Sequence, residues 1–346
     1  MGRSDSQFST RRLQAILVWT LAASALLASA ALASRGRTVS ASTAFPADTQ
    51  RTAVVTCPRG THATGGGFSA TPLAAPGGLL ESFTTNSNFA GRSKWSVTSR
   101  QFSGGDATVL TAKARCERRS DGRIAALLTG SATITPDTSG PPYDLIGQNL
   151  IFHCPPGTHE IAGGHAVDRP FDPNEVSNQF VATQSRRTHG TWTISGYLFG
   201  GPAATSPPAE LTGTVPCERN GARKIRERSR AVPFGDDIRS TASARCPRRH
   251  HLVSGGFAFT PIVEGQAPPV PFVDRSVPAS RRKWVVSAYD LSLFQPPPSA
   301  ALTTYAYCRR NFPRRRRARP AAIAADQPAG QGWVEVRPAP TLSLTP

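Results

Sequence analysis

The sequence predicts an all-β protein: three tandem small antiparallel β-sandwich-like modules, or alternatively one pseudo-three-fold, β-prism-like body, preceded by a signal helix. Three observations point there. Short apolar runs alternate with a period of two instead of the helical 3.6. The 31 prolines and 30 glycines interrupt those runs at turn-like spacing. One motif of about a dozen residues also recurs three times, marking a repeat of domain size.

The leader comes first. Arg3, Arg11 and Arg12 precede the uncharged run "AILVWTLAASALLASAALA" from Ala15 to Ala33, and Ala31-Leu32-Ala33 fits the small-x-small rule before a cut at Ser34. Residues 1–33 are therefore expected to be a signal peptide, with an uncleaved signal-anchor as the alternative because the run is long. Membrane contact is expected only through such an uncleaved leader. Six cysteines, an even number, agree with an oxidising compartment outside the cell or in its envelope.

The repeat supplies the domain plan. "CPRGTHATGGGF" starts at Cys57, "CPPGTHEIAGGH" at Cys154 and "CPRRHHLVSGGF" at Cys246. Trp95, Trp192 and Trp284 follow at one fixed distance from these cysteines. The copies close on "LTAKARCER", "LTGTVPCER" and "LTTYAYCRR", which carry Cys116, Cys217 and Cys308. The expected modules span residues 37–121, 128–220 and 226–312.

Each copy reads as about five antiparallel strands. In the last closing segment Leu302, Thr304, Ala306 and Cys308 share one face, opposite Thr303, Tyr305 and Tyr307. The tryptophan segments alternate as well, pairing Trp95 with Val97, Trp192 with Ile194 and Trp284 with Val286. Before each first cysteine, "TAVVTC", "NLIFHC" and "TASARC" continue the period. Pro216 lacks an N–H, which predicts a sheet edge in the second closing strand.

Both cysteines of a copy fall on core-facing phases at its two ends. That predicts Cys57–Cys116, Cys154–Cys217 and Cys246–Cys308 disulfides, each worth about 4 kcal/mol in the chain-entropy model. Metal thiolates have no CxxC to support them. The tryptophans read as core anchors over the disulfides. The glycine pairs Gly66-Gly67, Gly163-Gly164 and Gly255-Gly256 permit close backbone approach. They cannot form a phosphate loop, since strand-like residues follow them and no lysine does.

The candidate chemistry is thin. His62, His159 and His251 occupy one matched position and form a three-imidazole zinc site only if the copies pack about a three-fold axis. The plainer expectation is no metal and no cofactor. "VSGGF" around Ser254 is similar to the surroundings of a protease serine, but Gly65 and Ala162 stand there in the other copies. No GxSxG, HExxH or Walker sequence occurs, so a non-enzymatic protein is expected, with an unrecognised secreted hydrolase as the third reading.

The formal net charge is +18, carried almost wholly by arginine. Arg309, Arg310, Arg314, Arg315, Arg316, Arg317 and Arg319 crowd one stretch, and residues 313–346 read as a disordered basic and Pro/Ala-rich tail. These arginines are the expected contact for an anionic envelope polymer or glycan, with no sequence-specific nucleic acid. The competing partner class is carbohydrate, bound by an exposed Tyr305 and Tyr307. Oligomeric state is not legible.

The pattern CP-x-G-T, then GG, W and finally LT-x-Y-A-x-C-x-R resembles tandem modules in secreted proteins of high-GC actinobacteria, over roughly residues 37 to 312. The third copy matches best, and the second departs most, at His165 and Pro216. The resemblance implies export and disulfide-linked β-modules, and it carries over no active site. The expected function is a secreted or cell-envelope, non-catalytic binding protein.

Overall fold

The computed structural model describes residues 36–46, 49–72, 82–101, 107–118, 124–135, 145–168, 180–199, 208–219, 225–234, 239–260, 271–290, 300–311 and 331–339. The leader falls outside them. The described residues contain no helix and form three antiparallel sheets, none closed into a barrel.

The first module runs β1 (Arg37–Phe45), β2 (Gln50–Thr56), β3 (Thr61–Pro72), β4 (Ser82–Phe89), β5 (Lys94–Gln101) and β6 (Thr108–Arg118). The second runs β7 (Ile124–Ile134), β8 (Leu145–His153), β9 (Thr158–Glu160), β10 (Gly164–Asp168), β11 (Phe180–Thr188), β12 (Thr191–Phe199) and β13 (Ala209–Arg219). The third has β14 (Ile225–Pro233), β15 (Arg239–Arg245), β16 (His250–Thr260), β17 (Pro271–Ser280), β18 (Lys283–Asp290) and β19 (Ala301–Arg310). A last strand, β20 (Trp333–Pro338), follows. Each copy thus has six strands where five were expected, β9 and β10 being one strand interrupted.

No sheet belongs to one module. The orders are β1-β6-β3-β17-β18-β15, then β2-β5-β4-β10-β13-β7, then β14-β19-β16-β11-β12-β8-β20. Each copy gives its first, third and last strands to one sheet and its second, fourth and fifth to another. The exchange runs cyclically, so the modules form one pseudo-three-fold body instead of separate beads. The disulfides close the same cycle. Cys57–Cys116, Cys154–Cys217 and Cys246–Cys308 each tie the residue just after a strand of one sheet to the closing strand of another, with Cα–Cα separations of 5.6, 5.6 and 5.5 Å.

The glycine pairs explain how two modules can share a sheet. The first glycine lies under its own tryptophan: a Cβ would meet the Trp95 ring at 2.2 Å from Gly66, Trp192 at 1.9 Å from Gly163 and Trp284 at 2.0 Å from Gly255. Those indoles donate to Ser87, Ser185 and Ser276 of the same modules at 3.3, 3.2 and 3.2 Å. The second glycine faces the matching serine of the neighbouring module. A Cβ on Gly67 would sit 1.7 Å from the Ser276 carbonyl, on Gly164 2.7 Å from that of Ser87, and on Gly256 2.2 Å from that of Ser185. One pair of glycines therefore seats both the module's own core and its junction with the next.

Sharing also covers both faces of a junction strand. On β16, Phe257 and Phe259 enter the core around Trp95 and Trp284, while Ala258 between them enters the core around Trp192. The CP segment itself is a tight turn. Thr61 donates its N–H and its hydroxyl to the Pro58 carbonyl, and Thr158 does the same to Pro155. Gly60 and Gly157 hold φ of 80° and 76° there, and Arg249 takes φ 63° in the third copy.

Two sequence expectations are corrected. Pro216 is not at an edge, because β13 lies between β7 and the β9/β10 pair. Its missing donor instead breaks the facing strand at residues 161–163, where the other copies carry a bulge at Thr64 and Val253. The tail is not disordered throughout, since β20 adds to β8 at the edge of the third sheet. Its "WVEV" alternates, which lets Val334 cover Gly130 while Trp333 stacks on His153 at 3.6 Å.

The junction glycines yield a test. Gly256→Ala, which drives a methyl into the Ser185 carbonyl, should cost on the order of 3 kcal/mol by overpacking. Gly60→Ala, with open space but a positive φ, should cost only about 1–2 kcal/mol. Urea unfolding midpoints compare them; equal losses would contradict the junction role.

Candidate functional site

Matched residues of all three copies converge on the pseudo-three-fold axis. The bulged or broken stretch aims two consecutive residues of each copy inward: Thr64-Gly65, Ile161-Ala162 and Val253-Ser254. All six are buried or nearly so. A Cβ on Gly65 would lie 2.6 Å from the Ser254 Cβ and 3.3 Å from the Ala162 Cβ, so three backbones meet within van der Waals contact. Thr64 donates to the Val253 carbonyl at 3.0 Å, and the Ser254 hydroxyl donates to the Ile161 carbonyl. The second residue of each pair, Gly65, Ala162 and Ser254, is small because a larger one would not fit.

One layer away lie the ionisable groups. The residue after each closing cysteine is Glu117, Glu218 and Arg309, all buried. Arg309 reaches Glu117 at 2.6 Å and also pairs with Glu218, so one guanidinium bridges the two carboxylates of the other copies. The recurring histidines surround this group. His251 approaches Glu117 at 2.9 Å and the Asn311 side-chain oxygen at 2.7 Å, while His159 lies 3.6 Å from Glu218. His62 is paired in register with Glu117 on the adjacent strand and is buried. Burial alone would raise the Glu117 carboxyl, but Arg309 and the His251 hydrogen bond outweigh it and hold it at about 2.

The arrangement bears on each candidate in turn. The three histidines do share the axis, but the charge between the carboxylates is a guanidinium; among the described residues no group of three His, Cys, Asp or Glu is placed to hold a metal ion. Ser254 is 1% exposed with its hydroxyl committed to a backbone carbonyl, a position suited to packing and not to nucleophilic attack. His165, where the other copies have Phe68 and Phe257, is buried between Gly213 and Ser87 of the flanking strands, and that burial lowers its pKa to about 4. Its ring is a neutral core filler at pH 7.

Two assignments are overturned. Tyr305 and Tyr307 are not exposed: they are 6% and 1% accessible. The shared third sheet presents their face to the second module, where Tyr305 accepts from Arg186 at 2.7 Å and Tyr307 from the Arg187 N–H at 2.7 Å. The Tyr307 ring lies 5.2 Å from Trp192, and burial raises its hydroxyl pKa well above the ordinary value. The carbohydrate reading loses the residues on which it rested. Arg309, expected on a polyanion-binding surface, is 1% exposed and ion-pairs with both Glu117 and Glu218. Arg310 is exposed, and Arg314, Arg315, Arg316, Arg317 and Arg319 lie outside the described residues.

The Glu117–Glu218–Arg309 group was missed from sequence, although its signal was present. "CER", "CER" and "CRR" place two acids and one base at a matched position beside the recurring histidine. Inverting the sign at one matched position replaces a third buried negative charge by a cation that pairs with the other two. No family model matches the chain, and no curated protein matches it.

Removing the central cation tests the account. Arg309→Met strands two buried carboxylates and should cost about 3–5 kcal/mol at pH 7. Adding Glu117→Gln and Glu218→Gln should restore most of it. In the parent, the depressed Glu117 pKa means stability is lost as pH falls from 4.5 to about 2. In Arg309→Met burial raises the carboxyls instead, so stability should grow as pH falls towards 4.5 and level off below it. Parallel pH profiles would contradict the bridge.

Proposed function

We propose that the chain is exported and acts as a non-catalytic binding protein of the cell envelope or extracellular space. The observation that carries this reading is the cycle of three disulfides, each tying two different sheets. Such bonds form and persist in oxidising compartments, and here the whole body is closed through them. The resemblance of the repeat to modules of secreted actinobacterial proteins supports the same reading. So does the use made of the chemically capable side chains: Ser254, Glu117, Glu218 and Arg309 serve the packing of the axis. The partner class that the charge supports is an anionic envelope polymer.

Fractionation of cells making the full chain checks this. The expected result is protein outside the cytoplasmic membrane, cut after Ala33, with no thiol available to an alkylating reagent. A cytoplasmic pool with reactive thiols would overturn it.

A further inference from the structure

We infer that the folded body, independently of the arginine run after residue 312, carries a binding face for a phosphate-bearing polymer at one end of the pseudo-three-fold axis. Matched residues of a three-fold body lie at the same height along its axis. The end in question is the one where the CP turns, the hairpin turns before the tryptophan strands and the ends of the closing strands come together. Backbone hydrogen bonds fix that convergence: Ala63 donates to the Arg92 carbonyl at 3.0 Å, Leu252 to that of Arg281 at 2.9 Å, and Asn311 to that of Arg249 at 2.6 Å. Arg118 pairs in register with Thr61, and Arg310 with His250.

Three arginines recur there at matched positions in two copies. Arg59, Arg92 and Arg118 belong to the first module, and Arg248, Arg281 and Arg310 to the third, all exposed. In each trio one arginine comes from the CP turn, one from the hairpin turn and one from the closing strand. The neighbouring carboxylates Glu117, Glu218 and Glu160 are buried and ion-paired, the first two sharing Arg309 and the third with Arg187 at 3.4 Å. The positive charge of this end is therefore not cancelled by them.

Arg249 supplies an independent observation. It takes the left-handed φ of 63° at a position where the other copies have Gly60 and Gly157. A non-glycine residue there costs about 1–2 kcal/mol, and strain of this kind concentrates at functional surfaces. An arginine in this strained conformation, adjoining the trio of Arg248, Arg281 and Arg310, marks the third module's part of the face as a place where charge is wanted. Arginine forks match the paired oxygens of phosphate groups, and two trios around one axis suit a polymer that presents many such groups.

The inference rests on the export reading above, and its test is separate from that one. Purified oxidised full chain is titrated into fluorescently labelled long-chain inorganic polyphosphate, with alginate as the carboxylate polymer for comparison. The first-module variant replaces Arg59, Arg92 and Arg118 by Gln, and the third-module variant replaces Arg248, Arg281 and Arg310. A control replaces Arg314, Arg315, Arg316, Arg317 and Arg319 by Gln and keeps β20. Circular dichroism and thiol counts confirm that each remains folded and oxidised. Each face variant should weaken polyphosphate binding roughly tenfold or more and flatten its salt dependence, while the control stays within about threefold of the parent. Alginate should bind more weakly than polyphosphate. Loss confined to the control, equal binding of alginate, or no polyphosphate binding by the parent would overturn the inference, and none of these would bear on whether the chain is exported.

Discussion

The body depends on one close approach made three times: the backbone of a glycine-pair strand against a serine carbonyl of the next module. Gly67 against Ser276, Gly164 against Ser87 and Gly256 against Ser185 fuse half-sheets of different copies into continuous sheets. A side chain at any of these glycines would push the strands apart. Because every sheet is shared, each junction strand must satisfy two cores at once, and residues on both of its faces become apolar or small. The burial of Tyr305 and Tyr307 follows directly, since their face of β19 looks into the neighbouring copy.

The same sharing dictates what happens on the axis. Three closing strands bring three matched side chains together away from water, and three carboxylates there would be prohibitively unfavourable. The third copy resolves this by placing Arg309 where the others have Glu117 and Glu218. The residual sequence differences among the copies thus have physical roles. His165 fills a core position neutral, Pro216 breaks the strand that faces it, and Gly130 with His153 receives β20.

Much of the fold was legible in the sequence because period-two alternation and a matched cysteine pair are local signals. The disulfides followed from the phase of Cys116, Cys217 and Cys308 within their strands. Sheet sharing was not legible from periodicity, since a strand buried by its own module and one buried by a neighbour read alike. That is why Tyr307 was expected in solvent and Pro216 at an edge. Arg309 was misread for a related reason. It adjoins a run of arginines in sequence, and only the fold separates it, pointing inward, from Arg310, pointing out.

The claim that one body, and not three, is the folding unit is tested most directly by producing residues 226–312 alone, oxidised at Cys246–Cys308. Cut from its neighbours, this module loses the partners of β16 and β17 and exposes the faces of Tyr305 and Tyr307. Amide hydrogen exchange should show it largely unprotected, whereas the same residues in the full chain are protected to a single global free energy. Native-like protection in the isolated module would contradict the shared-sheet account.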